Sequence, residues 1–162
     1  MEQIEAWSEF NVAMVGATAA LAGLVIVASS VNIAEIIKSN TLTARLAAAI
    51  AALVLAIIVT GVGLVPDIDT LWYGVVIGVS VLVAAIFQVH ATLVIVRDPD
   101  PEHVARLRKA ALGFAPIIAY AAASIALVLG QPVGLTIAAA GTLLAIVSAI
   151  VVSWVALVEV LR

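Results

Sequence analysis

The sequence predicts an all-α integral membrane protein, a single bundle of five transmembrane helices with no soluble domain. Three observations predict it. Of the 162 residues, 65% are hydrophobic and only 10% are charged, whereas a soluble domain is near half apolar and a quarter charged. Apolar stretches close to the roughly 20 residues that a bilayer core demands recur along the chain, about five in all. Between them stand turn-forming groups: Ser39-Asn40-Thr41, Pro66-Asp67-Ile68-Asp69, Asp98-Pro99-Asp100-Pro101 and Gly130-Gln131-Pro132.

The first span covers residues 10–37. The leader before it, MEQIEAWSEF, is acidic and lacks Lys and Arg, so it does not read as a signal peptide and the apolar stretch is expected to stay as a membrane helix. At about 100° per residue, Asn11, Thr18, Ser29 and Asn32 share a sector of about 60°. Gly16, Gly23 and Ser30, with Ala20 and Ala34 beside them, form a second stripe well over 100° away. Small residues admit a close helix neighbour, and amides or hydroxyls in lipid need hydrogen-bond partners. Two such stripes imply two neighbours and a central position. The polar sector then either bonds to adjacent helices or lines a hydrated path.

The second span, 42–65, has Asn40 or Thr41 as its expected N-cap. The third, 71–96, follows Asp69 or Thr70 as cap and carries Gly74, Gly78, Val81, Ala85, Gln88 and Thr92 on one face, beginning with a GxxxG. The Asp-Pro-Asp-Pro run ends it, because proline disfavours helix in the residue before it. Asp100 and Pro101 then start a short basic helix, 101–109, leading into the fourth span, 110–129. That span presents Ala111, Ala115, Ala119, Ala122 and Ala126, and Pro116 should kink it moderately near 112–116. The fifth, 134–161, sets Gly134, Ala138, Gly141, Ala145, Ser148, Ala156 and Glu159 within about 80°. A four-span alternative demotes the Pro-containing fourth stretch.

Five spans place all seven basic residues on one side: Lys38, Arg45, Arg97, Arg106, Arg108, Lys109 and Arg162. By the positive-inside rule that side is cytoplasmic, so the N-terminus is outside and the C-terminus inside. Four spans would strand Arg162. Glu2, Glu5, Glu9, Asp67 and Asp69 make an acidic outer rim, with Trp7, Trp72 and Tyr73 as outer interfacial aromatics and Trp154 towards the inner interface. So strong a charge bias predicts that any homo-oligomer is parallel. Arg106, Arg108 and Lys109 read as an anchor to anionic lipid headgroups.

Chemistry-bearing patterns are scarce. Cysteine is absent and only two histidines are present, which removes thiolate sites and leaves little for a metal centre. The sequence holds no HExxH, GxSxG or phosphate-binding glycine loop, and Gly61-Val62-Gly63 reads as a helix end. Asp67 and Asp69 read as a solvated turn, and no basic surface supports nucleic-acid binding. No enzyme activity, cofactor or metal is therefore expected. Glu35 with Lys38, and Glu159 with Arg162, suit interfacial salt bridges. His90 lies about 10 Å along the axis from Arg97. It reads as a neutral histidine bonded inside the bundle, or alternatively as a proton relay. Asn32, Glu35, Gln88, His90 and Glu159 share the inner half, which raises the expectation of a wet inner vestibule.

The pattern WSEF..A..GA..ALAGLVIVASSVNI, over residues 7–33 within the stretch 7–37, resembles a group of small, largely actinobacterial, multi-pass proteins, some labelled modulators of a membrane-bound protease. The resemblance implies a bacterial inner membrane and an accessory role, and it transfers no catalytic or binding residue. The leading expectation is a non-enzymatic membrane protein that works by helix association, as a parallel homo-oligomer or as an accessory subunit beside other membrane proteins. The alternative is a small oligomeric ion or proton channel, or a transporter, with a polar path along the first helix.

Overall fold

The structure, a computed structural model, describes residues 2–97 and 103–160, with side chains described at 4–97, 112–156 and 158. The helices are α1 (Glu2–Glu5), α2 (Ser8–Val31), α3 (Ile33–Ile36), α4 (Asn40–Val62), α5 (Thr70–Arg97), α6 (His103–Val128) and α7 (Val133–Val160). The Asp-Pro-Asp-Pro break and Arg162 lie outside the described residues, as do the side chains of Arg106, Arg108, Lys109 and Glu159.

Local chemistry sets the ends. Ser39, rather than Asn40 or Thr41, caps α4: its Oγ accepts from the Leu42 amide at 3.3 Å. At the end of α6, Gly130 takes a left-handed φ of 72°. That lets the Gln131 amide reach Ala126 O at 2.8 Å and the Gly130 amide reach Leu127 O at 2.9 Å, closing the helix. The first span is not one helix to residue 37. It breaks at Asn32, whose Nδ2 donates to Ala28 O at 3.0 Å, and resumes as the short α3. The basic segment from 103 and the fourth span form one continuous helix that runs through Pro116.

The centre of the bundle is α4, not α2. Leu53, Leu55, Ala56 and Val59, all on α4, are at most 1% exposed, and α4 packs against α2, α5 and α7. By contrast α2 leans on the bundle with one face, burying only Asn11, Thr18, Ala22 and Val25. The reason is steric and chemical together. Alanines 44, 48, 49, 52 and 56 make α4 thin enough to be surrounded, while α2 has one side that must hide polar groups.

The second organising unit is α6, held between the glycines of α5 and α7. A Cβ on Gly74 would meet Leu127 Cβ and the Val128 amide nitrogen at 3.0 Å, and one on Gly78 would meet Ser124 Oγ at 2.8 Å. From the other side, a Cβ on Gly134 would meet Leu127 Cγ at 2.6 Å, and one on Gly141 the Tyr120 ring at 3.1–3.2 Å. The glycine faces of α5 and α7 are thus filled within the chain. They receive Tyr120, Ser124 and Leu127 rather than the alanine row of α6, whose Ala122 is exposed.

Among the described residues, four helices are long and apolar enough to cross a bilayer: Ser8–Val31, Asn40–Val62, Thr70–Arg97 and Val133–Ala156. The apolar part of α6, Leu112–Val128, is shorter, about 25 Å at 1.5 Å per residue.

Candidate functional site

The residues that most need explaining are the polar groups of α2. Asn11 and Thr18, at 6% and 0% exposure, face inward with Ala22 and Val25, and Ser29 and Asn32 are half-buried on the same side. The small-residue stripe is on the opposite side. Gly16, Gly23 and Ser30 are exposed, and a Cβ on either glycine would find nothing within 4 Å. The second neighbour expected for this stripe is therefore not found among the described residues. In an apolar solvent, turning hydroxyls and an amide away from lipid is favoured, whereas glycine and alanine meet lipid without such a penalty.

Most of the polar side chains do not bond to neighbouring helices either. Thr18 Oγ1 donates to Met14 O at 2.6 Å, Ser29 Oγ to Val25 O at 2.7 Å, and Asn32 Nδ2 to Ala28 O. These are bonds to the preceding turn of the same helix, which satisfy the group without a neighbour. Asn11 differs. Its amide makes no such bond and instead sits where a Cβ on Gly63 would be, with Nδ2 at 2.6 Å and Tyr73 Oη at 2.9 Å from that point. Gly63 leaves the space into which both side chains reach.

Two cavities flank this face of α2. The outer one is small and lined by Trp7, Asn11, Thr60, Tyr73 and Thr142 among others. Trp7 and Phe10 stand edge-to-face at 5.7 Å beside it. The inner one, also small, is lined by Ser29, Asn32, Ile36, Leu46, Ser153 and Ala156 among others. Ser153 Oγ is buried there without a hydrogen-bond partner. Between the two lies an apolar layer in which Leu53 and Ala149 are 0% exposed, packed with Ala22 and Val25. The polar sector is thus two polar ends around a dry middle.

Cross-helix polar ties lie elsewhere, in places the sequence reading did not single out. Tyr73 was expected at the outer interface. It is 2% exposed, with its hydroxyl donating to Val59 O of α4 at 3.0 Å. Tyr120 Oη and Thr142 Oγ1 are 2.8 Å apart and join α6 to α7. Ser124 Oγ donates to Gly74 O at 2.7 Å and joins α6 to α5. A tyrosine on the face of α6 that meets the Gly134–Gly141 row was the available signal for the second of these. Its rotation could not be known before the helix pairs were.

The inner-half groups do not share one vestibule. Glu35 is exposed and pairs with Lys38, Oε1 to Nζ 2.7 Å. Gln88 is buried beside Gly113 and lines a separate cavity with Arg45 and Ser148. His90 is exposed, outside the bundle interior, on a groove between α4 and α5. Among the described members of that group, Asn32 lines the inner cavity beside α2. The reason is rotational: about 100° per residue sends Gln88 and His90 to opposite sides of α5 although they share a depth. Among the described residues, no group of three or more His, Asp or Glu side chains is placed to hold a metal.

Helices of this length and composition, packed through glycine, alanine and buried hydroxyls, define a multi-pass helical membrane protein. Comparisons with family models, curated proteins and solved structures find no match.

Proposed function

We propose that this protein works by association within the membrane, through the exposed small-residue face of α2, as a parallel homo-oligomer or as an accessory subunit of a larger assembly. One observation carries the reading. A Cβ on Gly16 or Gly23 would find nothing within 4 Å among the described residues. A glycine inside a helix costs about 1 kcal/mol relative to alanine, and here no intrachain packing offsets that cost. A second helix approaching the Gly16–Ala20–Gly23 surface would offset it through close backbone contact. Five spans, with α6 as the fourth, put the basic residues on one side, and a cytoplasmic C-terminus follows from the positive-inside rule. With that bias the copies run parallel, in a bacterial inner membrane as the resemblance of the N-terminal stretch implies.

The chain has no cysteine, which makes the test clean. Ala20→Cys, on the exposed stripe, should give disulfide-linked dimers in native membranes, whereas Ile118→Cys, equally exposed on α6, should not. Gly16→Leu with Gly23→Leu should convert the oligomer seen by native mass spectrometry to monomer, while the monomer unfolds in SDS no more easily than the parent monomer. A parent protein that is monomeric in lipid nanodiscs and binds no second membrane protein would refute the reading.

A second reading rests on the two cavities at either end of the α2 polar face. A small ion or proton path would need the dry layer at Leu53 and Ala149 to open, as hydrophobic constrictions gate by dewetting. Flux through proteoliposomes that rises in Leu53→Ser supports it; absence of flux in both parent and variant removes it.

A further inference from the structure

On the lateral surface of α4 and α5, at the end where α5 finishes and α4 begins, lies a wide open groove. We propose that it is a binding site for one anionic phospholipid, with the headgroup phosphate at the α4 N-terminus and an acyl chain along the apolar floor. The groove has two chemically distinct parts. Its upper rim carries Lys38 and Arg97 from two different elements, with His90 below them. Arg97 is exposed and makes no ion pair among the described residues, and Lys38 is shared with Glu35 at the surface.

The same rim holds the first turn of α4. The Leu42 and Thr43 amides are taken by Ser39. The amides of Asn40 and Thr41, in the first turn of α4, have no acceptor within that helix. Helix N-terminal amides together with cations from another helix match a phosphate. Below the rim the lining changes to Ala44, Ala47, Phe87 and Val94. Phe87, on that floor, is 44% exposed. A free phosphate would use the rim and leave that floor bare, whereas a phospholipid matches both parts. The proposal rests on the helices spanning a membrane rather than on the association proposed above.

The test is native mass spectrometry of the full chain titrated with phosphatidylglycerol and, separately, with phosphatidylcholine of the same acyl chains. The parent should bind one phosphatidylglycerol about 10- to 30-fold more tightly than phosphatidylcholine, the preference two basic groups near a surface provide. Lys38→Gln with Arg97→Gln should erase that preference. Arg97→Gln alone, at an exposed position, serves if the double variant does not elute as a single species. Ala47→Trp, which fills the floor, should weaken both lipids. The proposal is overturned if the double variant keeps the preference, or if only Arg106→Gln, Arg108→Gln and Lys109→Gln together remove it. It is equally overturned if millimolar inorganic phosphate displaces the lipid while Ala47→Trp binds normally, since the groove would then be a free-anion site.

Discussion

Gly74→Ala and Gly16→Ala add the same methyl group to a glycine in a membrane helix, and the structure gives them opposite signs. At Gly74 the new carbon would stand 3.0 Å from Leu127 Cβ, 3.0 Å from Val128 Cγ2 and 3.0 Å from the Val128 backbone nitrogen. Comfortable contact is about 3.5–4.0 Å, and neither a Cβ nor a backbone nitrogen can rotate away. Helices α5 and α6 must therefore part by roughly half an ångström or more. The Ser124 Oγ to Gly74 O bond, 2.7 Å long, lies on the same seam and stretches with it.

Overpacking of this kind costs about 1–3 kcal/mol, and weakening a membrane hydrogen bond adds about 0.6 kcal/mol. The better helix propensity of alanine returns about 0.8–1.0 kcal/mol. The net is a destabilisation of about 0.6–2.8 kcal/mol. At Gly16 nothing lies within 4 Å, so only the propensity gain remains, and Gly16→Ala should match or exceed the parent by up to about 1 kcal/mol. Unfolding of the monomeric protein by SDS in mixed micelles, followed by far-UV circular dichroism, measures both. If the two variants unfold within about 0.5 kcal/mol of each other, a difference too small for overpacking, the assignment of α6 to the glycine face of α5 is refuted.

Three further outcomes follow from the same packing. Tyr120→Phe removes the tie to Thr142, whose hydroxyl keeps its bond to Ala138 O at 3.1 Å; the loss should stay near 0.6 kcal/mol and below about 1.7 kcal/mol by SDS unfolding. Leu53→Ala opens a void at a 0%-exposed position of α4 and should cost about 2–4 kcal/mol, with a lower thermal midpoint. Asn11→Leu removes a buried amide that makes no protein hydrogen bond and should leave stability unchanged or raise it by about 1 kcal/mol. A marked loss on Asn11→Leu would mean that the amide binds something in the outer cavity.

Much of the fold was legible because membrane helices are specified locally. Length, hydropathy and turn residues mark where helices begin and end, and the helix limits at 62, 70, 97, 128 and 133 lie within about three residues of those read from the pattern. The inward face of α7 was legible too: Gly134, Ala138, Gly141, Ala145, Ser148 and Ala156 are all buried. Less of the candidate site could be read. The two stripes of α2 were visible, but which one faces inward was not. Tyr73 has the composition of an interfacial aromatic and is used instead as a bridge to α4. His90 and Gln88 share a depth and point to different surroundings.

The sequence by itself determined that this chain is helical, that it is built to lie in a membrane, and which residues carry polar groups into it. Only the tertiary structure decided the order of the helices around α4, the filling of the α5 and α7 glycine faces by α6, and the exposure of the glycine face of α2. The physical reason is the solvent. A soluble helix announces its inner face by apolar contrast, but here nearly every face is apolar. Orientation is then settled by shape, by which small residues meet which large ones, and by the few hydroxyls and amides that must leave the lipid. Those are properties of pairs of helices, and no single segment contains them.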